Sequence, residues 1–298
     1  MKSLFASLLL VSPTFGQAPG VPIVEQSKAG NQAEQRRILK QVEKFGPEEK
    51  LMTITSIQKA LLKPSPRPLT LPVPGKKALS PAEVAKKMRP SLYRVGWGYL
   101  CNHCDNWHIN LAGGYAVTND GVIATCAHVI DVDNEKMREG GLIAVDHKGK
   151  VFPVTAILAN HDDMDAALVK IDTKTVPLPL NDQVGPGDEA FCLSRPLDQK
   201  DYFSKGMVNR FYWNSIDRDG GDDSLDALGH LKMNVSSRWA PGSSGSPVVD
   251  KCGNVIGHVA TISRMKGNSR GKTREVFITL HTATPARAVK ALASKGAP

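Results

Sequence analysis

The chain of 298 residues contains 41% hydrophobic and 22% charged side chains, which excludes wholly disordered, collagen-like and coiled-coil proteins. A mean hydropathy of −0.23 and one long apolar run, at the N-terminus, exclude a protein with several membrane spans. The formal net charge of +9 comes from the first 90 residues, since the rest has equal numbers of acidic and basic side chains. We interpret this charge as keeping a leader segment solvated, with contact to an anionic surface as the alternative, and predict no nucleic-acid partner.

The N-terminus has the pattern of a secretory signal peptide. Lys2 precedes an apolar stretch at residues 4–11 that is too short to cross a bilayer, and residues 16–18 have the small-x-small pattern of a cleavage site. The alternative is an apolar helix that belongs to the fold. We predict a signal peptide over residues 1–18 and an exported protein, periplasmic, at the cell surface or secreted, with no membrane span in the mature chain.

Residues 19–79 are predicted to form an extension outside the main fold. Apolar side chains follow a helical period at residues 31–45, and a second helix is expected over residues 47–62. Five prolines then favour an extended, semi-rigid linker, namely Pro64, Pro66, Pro68, Pro72 and Pro74. This linker predicts a domain boundary before residue 80.

Residues 80–298 are predicted to form one domain of short strands. Ser80 and Pro81 are a cap and first residue for a helix that ends at Met88, and a terminal helix is expected from Thr284 to Ser294. Between them, short apolar runs separated by turn residues predict about a dozen strands and an all-β barrel or sandwich. A tight hairpin is predicted at residues 119–121, which read Asn-Asp-Gly. The predicted strands are 92–95, 114–118, 122–125, 141–145, 151–158, 167–171, 190–193, 205–213, 231–235, 247–249, 255–262 and 276–280.

Three separate segments carry residues suited to nucleophilic catalysis. Residues 113–129 contain His128, residues 163–171 contain Asp165, and residues 240–249 contain Ser244 within a Gly-Ser-Ser-Gly-Ser-Pro run. In these segments the sequence resembles the chymotrypsin-fold serine peptidases and, among them, the trypsin-like bacterial Deg/HtrA type. The resemblance covers about residues 81–290.

The resemblance implies an all-β, chymotrypsin-like double six-stranded β-barrel with short N- and C-terminal helices. It implies a serine endopeptidase with His128 as general base, Asp165 as its orienting carboxylate and Ser244 as nucleophile. The amides of Gly242 and Ser244 would form the oxyanion hole. The expected substrates are proteins or peptides, with no cofactor or metal required for the chemistry. A catalytically inactive peptide-binding protein on the same fold is the alternative, and the oligomeric state is not predicted.

The sequence departs from the family pattern in two places. The stretch after Ser244 is too short for the PDZ module that usually follows, so a protein of this type without a PDZ domain is expected. Ser243 stands where digestive relatives have the aspartate that pairs with a newly cut N-terminus. We therefore expect a chain that begins near Ser80 to be active without cleavage.

The residues expected at the primary specificity pocket are Arg238, Trp239 and Ala260. Because no acidic residue is among them, a preference for Lys or Arg is not expected. If Arg238 points into the pocket it would favour acidic substrates, as in the glutamyl endopeptidases, which the segment around Ser244 also resembles. If it points to solvent, Trp239 would narrow the pocket and favour small or medium aliphatic residues. We prefer the aliphatic alternative, because His258 is shifted by one residue from the histidine that glutamyl endopeptidases use.

The five cysteines cannot all pair within one chain. Cys101 and Cys104 form a Cys-x-x-Cys motif with histidines nearby, and a disulfide, a metal site and free thiols all remain open. Cys126, Cys192 and Cys252 lie in or beside predicted strands and are expected to be small hydrophobic residues of the interior.

Overall fold

The computed structural model describes residues 23–45, 50–133, 135–214, 224–266 and 276–295. The predicted signal peptide, residues 1–18, lies outside these ranges. The described helices are α1 (Lys28–Phe45), α2 (Ile54–Leu62), α3 (Pro81–Met88), α4 (Ala127–Ile130), α5 (Leu225–Gly229) and α6 (Ala286–Lys295). Not one of these helices combines the length and apolar character required to cross a bilayer.

Twelve strands are seen in the described residues. They are β1 (Leu92–Cys101), β2 (Trp107–Ala116), β3 (Val122–Thr125), β4 (Met137–Asp146), β5 (Val151–His161), β6 (Ala166–Ile171), β7 (Glu189–Ser194), β8 (Tyr202–Trp213), β9 (Leu231–Val235), β10 (Pro247–Val249), β11 (Val255–Lys266) and β12 (Val276–Pro285).

The strands form two closed antiparallel barrels. The first has the order β1-β2-β3-β6-β5-β4 and the second the order β10-β11-β12-β9-β8-β7. The prediction of an all-β double six-stranded barrel is therefore confirmed. The barrel interiors hold separate apolar clusters, around Trp97 and Ile157 in the first and around Cys192 and Met233 in the second.

A third cluster joins the two barrels and is the largest. It contains Tyr115 and Leu168 of the first barrel, Phe191 of the second, Met88 of α3 and Leu292 of α6. Large side chains buried between the barrels fix their relative position, because interiors are packed densely and tolerate little displacement. The loops at this junction are thereby held at constant positions.

Local sequence signals explain several element ends. Ser80 and Glu83 form a reciprocal capping box at the start of α3, with Pro81 in the first turn. The predicted hairpin at residues 119–121 connects β2 to β3, and Gly121 has a φ of +99°. Strands β1 and β2 extend well beyond the predicted runs, because their glycine-rich and polar outer parts are paired with each other in register.

The described residues between 23 and 79 lie against the barrels. Ile38 of α1 and Ile57 of α2 are fully buried against the first barrel. In the proline-rich stretch, the Ser65 amide donates to the carbonyl of Ile157 (3.0 Å) and the Gly75 amide to Asn254 Oδ1 (2.8 Å), so the stretch contacts both barrels. Prolines remove donors only at their own positions, so amides such as those of Ser65 and Gly75 can still donate to the barrel surface. The division of the chain at residue 80 stays a prediction.

Candidate active site

The three residues predicted for catalysis lie at the junction of the barrels. His128 is the second residue of α4, directly after β3, and Asp165 ends the turn between β5 and β6. Ser244 lies in the loop between β9 and β10 of the second barrel. Residues far apart in sequence are thus carried by rigid elements that the packing between the barrels holds together.

The structure brings His128 and Asp165 into direct contact. His128 Nδ1 lies 2.9 Å from Oδ1 and 3.0 Å from Oδ2 of Asp165, and the His128 amide also donates to Oδ1 (3.2 Å). Because a carboxylate accepts hydrogen bonds, Nδ1 carries the proton and Nε2 is left with a free lone pair. This is the tautomer that a general base requires.

The electrostatics of this pair follow from the same contact. The hydrogen bond that His128 donates to Asp165 raises the pKa of His128 above its usual 6.5, although partial burial opposes this shift. Burial acts to raise the pKa of Asp165, but the hydrogen bond and charge of His128 outweigh it, and the net pKa is below the usual value. Asp165 is therefore ionised at neutral pH.

The loop that carries Ser244 is tied to the first barrel. The Gly113 amide of β2 donates to the carbonyl of Ser244 (2.6 Å), and Thr125 Oγ1 donates to the carbonyl of Gly113 (2.7 Å). Gly245 has a φ of +78°, and a Cβ atom there would collide with the Gly113 carbonyl and the Thr125 hydroxyl. Glycine is required at this close approach. Within the described residues, Ser244 Oγ makes no hydrogen bond to His128.

The backbone amides proposed as oxyanion donors are those of Gly242 and Ser244. Gly242 has a φ of +93°, a left-handed conformation that favours glycine. In the described part of the chain, neither the Gly242 amide nor the Ser244 amide donates to another group, whereas the Ser243 amide between them donates to the Ala240 carbonyl (3.1 Å). Two amides of this loop are thus available to an external acceptor.

The turn that carries Asp165 is held by three buried side chains of the second barrel, which the sequence analysis missed. Lys232 Nζ donates to the carbonyl of Asp163 (2.6 Å), Thr284 Oγ1 to that of Met164 (2.6 Å) and His258 Nε2 to that of Asp165 (3.0 Å). Burial lowers the pKa of both Lys232 and His258. The sequence contains one indication of this role: each of the three is a polar residue within an otherwise apolar part of β9, β11 or β12.

His258 occupies a place different from the one considered for it in the sequence. It is fully buried beneath the Asp165 turn, and its Nδ1 has no hydrogen-bond partner among the described residues. Since Nε2 faces a carbonyl oxygen, Nε2 carries the proton. His258 therefore contacts the backbone of the turn that carries Asp165.

The predicted pocket residues differ in exposure. Arg238 is exposed to solvent, whereas Trp239 is 3% exposed and Ala260 is 7% exposed. The Trp239 indole donates to the carbonyl of Thr261 (3.1 Å) and meets the ring of His281 edge-on at 5.0 Å. These contacts fix the indole within the second barrel beside β11.

A cavity of about 530 Å³ lies beside the Ser244 loop, with Gly242 and Ser246 in one wall and α1 in another. In it, Glu34 of α1 forms ion pairs with Arg94, Arg195 and Lys200, at 3.3, 2.5 and 2.8 Å. Burial opposes ionisation of Glu34, but these cations lower its pKa to about 2. The N-terminal helix is thus attached to the wall of this cavity through a partly buried charge cluster.

Two groups of side chains in the described residues have metal-ligating atoms close together. One is Cys126 with His128 and Asp165, and the other is Cys101 and Cys104 with His108. In the first group, the Cys126 thiol donates to the carbonyl of Val259 (3.0 Å), and the other two side chains are paired with each other. All five cysteines are free thiols.

Comparisons with known proteins agree with this arrangement. A family described as "Trypsin-like peptidase domain" matches residues 112–257, which include the segments of His128, Asp165 and Ser244. "Putative protease Do-like 14" of Arabidopsis thaliana is 31% identical over 157 residues, which are 50% of this chain and 34% of that protein. "Putative serine protease HhoB" of Synechocystis sp. is 22% identical over 150 residues, 48% of this chain and 32% of that protein.

The chain spans about a third of the length of these curated relatives. The matched part contains strands β3 to β10 and the three segments that carry His128, Asp165 and Ser244. Given the double barrel, the order of the three segments and the family match, the chain contains a trypsin-like serine peptidase domain with the chymotrypsin fold, similar in sequence to proteases of the Deg/HtrA type.

Proposed function

We propose that this protein is an exported serine endopeptidase that hydrolyses peptide bonds through an acyl-enzyme at Ser244. The observation that carries the proposal is the contact of the Asp165 carboxylate with His128 Nδ1 at 2.9 Å. This contact leaves Nε2 unprotonated, so His128 is able to remove the proton from Ser244.

In the proposed reaction, Ser244 Oγ attacks the substrate carbonyl while His128 Nε2 takes its proton. The negative charge on the carbonyl oxygen is stabilised by the amides of Gly242 and Ser244, which have no other acceptor in the described residues. His128 then gives the proton to the leaving amine, and the acyl-enzyme is hydrolysed by a water molecule that His128 activates in the same way. Asp165 stays ionised and stabilises the imidazolium.

The second candidate is a peptide-binding protein without catalytic activity. It is favoured by one observation, that Ser244 Oγ makes no hydrogen bond to His128 in the described residues. Such contacts are often long before substrate binds and shorten in the complex, so we prefer the active enzyme.

The deciding experiment is turnover of a protein substrate by the purified chain and by its Ser244→Ala variant. Ser244→Ala is expected to reduce turnover by a factor on the order of 10⁶, and Asp165→Asn by roughly 10⁴ because the histidine would lose its tautomer. Ser246→Ala, a buried serine two residues away, is the matched control and should keep activity. Labelling of Ser244 by a fluorophosphonate reports on the same site without a substrate. Equal proteolysis by Ser244→Ala, or no labelling of the folded wild type, would exclude the proposal.

For specificity, we propose a preference for small or medium aliphatic residues before the cleaved bond. The exposure of Arg238 and the burial of Trp239 and Ala260 support this choice over an acidic preference. Identical peptides with Val, Ala, Glu or Lys at that position measure it, with fastest cleavage expected after Val or Ala. Fastest cleavage after Glu that is lost in Arg238→Ala would favour the acidic alternative, and fastest cleavage after Lys would contradict both.

Export is proposed from the N-terminal pattern, since residues 1–18 lie outside the described residues. Mass spectrometry of the protein recovered outside the cytoplasm of an expressing bacterium should find an N-terminus near residue 17 or 19. An intact N-terminus on cytoplasmic protein would oppose it.

A further inference from the structure

The turn between β1 and β2 holds a group of side chains that the proposed catalysis does not use. Cys101 is the last residue of β1, Cys104 lies in the turn, and His108 is the second residue of β2. Their ligating atoms all lie within 4.8 Å of one another, and Cys104 Sγ is 3.0 Å from His108 Nε2. Both thiols are free.

The backbone of this turn directs the ligands toward one point. Tyr99 of β1 is paired with His108 of β2, and the Cys101 amide donates to the carbonyl of Asn106 (3.0 Å), which closes the turn. Within the turn, the His103 amide donates to Cys101 Sγ (3.3 Å). An amide donor to sulfur stabilises a thiolate, the form of cysteine that binds metals.

Contacts outside the turn hold it in place. The Asn102 amide donates to the carbonyl of Lys136 (2.9 Å), and the Asn102 side chain donates to the carbonyl of Glu135 (3.1 Å). The ring of Tyr99 stacks on that of His108 with centroids 5.7 Å apart. Cys101 and His108 therefore lie on paired strands of the first barrel, and the turn between them that carries Cys104 is held by the Asn102 contacts, which limits the entropy lost when a ligand orders these side chains.

We propose that Cys101, Cys104 and His108 bind a zinc ion. Two thiolates and an imidazole are the donors that zinc prefers, and tetrahedral coordination with Zn–S near 2.3 Å and Zn–N near 2.0 Å separates sulfur and nitrogen by about 3.6 Å. The ligating atoms lie within 4.8 Å of one another, with Cys104 Sγ and His108 Nε2 3.0 Å apart, so small side-chain rotations would bring sulfur and nitrogen to the separation that zinc requires. His103 is a candidate fourth ligand, since its Nδ1 lies 4.0 Å from Cys101 Sγ.

A disulfide between Cys101 and Cys104 is the competing state of the same residues. It would form a bond of about 2.05 Å between the sulfurs and would give the imidazole no role. The direction of His108 Nε2 toward Cys104 Sγ favours the metal. By joining the end of β1 to β2, the ion would stabilise the hairpin whose β2 strand also contacts the Ser244 carbonyl through Gly113.

The test uses the full chain, reduced and free of metal, titrated with Co²⁺ alone under inert gas. One equivalent should produce the intense near-ultraviolet absorption of thiolate-to-cobalt charge transfer and the visible bands of tetrahedral Co²⁺, and Zn²⁺ should abolish both. Cys101→Ser, Cys104→Ser and His108→Ala should each weaken binding at least about tenfold. His103→Ala should weaken it only if His103 is the fourth ligand.

Cys252→Ser, which replaces a partly exposed free thiol elsewhere, is the matched control and should bind as the wild type. Circular dichroism of each variant establishes that the barrels are folded, and the cobalt spectrum does not depend on peptidase activity. A reduced wild type without charge-transfer absorption overturns the proposal, as does a spectrum that persists in Cys104→Ser. A Cys101–Cys104 disulfide in protein isolated without metal, found by thiol counting and mass spectrometry, overturns it as well.

Discussion

At the scale of single residues, the hydrogen bond between His128 and Asp165 sets the pH range of the proposed enzyme. A general base must be unprotonated, and the pKa of His128 is raised above 6.5 mainly by the hydrogen bond to Asp165. A raised histidine pKa means that the imidazole becomes protonated at a higher pH than in a peptide. Activity should therefore be lost as the pH falls through that raised pKa.

We predict that kcat/KM for a peptide substrate declines on the acid side with an apparent pKa above 6.5. The pKa of His128 can be measured directly by NMR in the Ser244→Ala variant, which does not degrade itself. In the double variant Ser244→Ala, Asp165→Asn, the pKa of His128 should be lower, because the carboxylate charge is removed. Adding Asp172→Asn, an exposed carboxylate elsewhere, should leave it unchanged. A His128 pKa that stays constant or rises on loss of Asp165 would contradict the assigned pair.

At the scale of elements, the Asp165 turn depends on the second barrel. Three successive carbonyls of this turn accept hydrogen bonds from Lys232, Thr284 and His258, which belong to β9, β12 and β11. Asp165 itself has a φ of +54°, which an aspartate tolerates but does not favour. Donors from three strands therefore hold a turn whose backbone is unfavourable in isolation.

Thr284→Val tests this dependence, because it removes the hydroxyl and keeps the shape of the side chain. The carbonyl of Met164 would lose a buried donor, at a cost of about 1–3 kcal/mol in the free energy of unfolding. Displacement of Asp165 should lower kcat by roughly tenfold or more with little change in KM. Thr284→Ser keeps the hydroxyl and should restore kcat. If Thr284→Val loses stability but keeps the wild-type kcat, the turn is positioned by other contacts.

At the scale of the whole molecule, helix α1 forms one wall of the cavity beside the Ser244 loop. Helix α1 buries Ile38 and Val42 on the first barrel and places Glu34 among Arg94, Arg195 and Lys200. The carboxylate has a pKa of about 2 in the folded protein, against 4.5 in a peptide. Its contribution to stability is therefore complete above pH 4.5 and is lost as the pH falls from 4.5 toward 2.

Glu34→Gln should destabilise the protein by about 3 kcal/mol, because three cations would be left close together without their partner. Hydrogen exchange should then rise in residues 28–45 more than in the barrels, as helix α1 detaches. Glu43→Gln, on an exposed position of the same helix, is the matched control. Equal unfolding midpoints and equal exchange in the two variants would show that the charge cluster does not hold the helix.

The sequence by itself determined the features that depend on neighbouring residues. Alternating apolar runs and turn residues predicted the all-β class, Asn-Asp-Gly predicted the hairpin before β3, and Ser80 with Pro81 predicted the start of α3. These signals are readable because turn conformation and helix capping are local. The order of His128, Asp165 and Ser244 predicted the candidate triad through the family resemblance.

Only the tertiary structure decided the features that depend on contacts between distant segments. The donors Lys232, His258 and Thr284 lie 69, 93 and 120 residues along the chain from the turn residues that they contact. A local sequence pattern therefore cannot relate them to the Asp165 turn. The contacts of the described residues between 23 and 79 with the barrels could not be predicted either, because prolines and basic residues are equally compatible with a solvated linker. Strand register and the packing between the barrels determine whether Arg238 faces a pocket or solvent. They also determine whether His108 contacts Cys104. A local pattern does not contain that information.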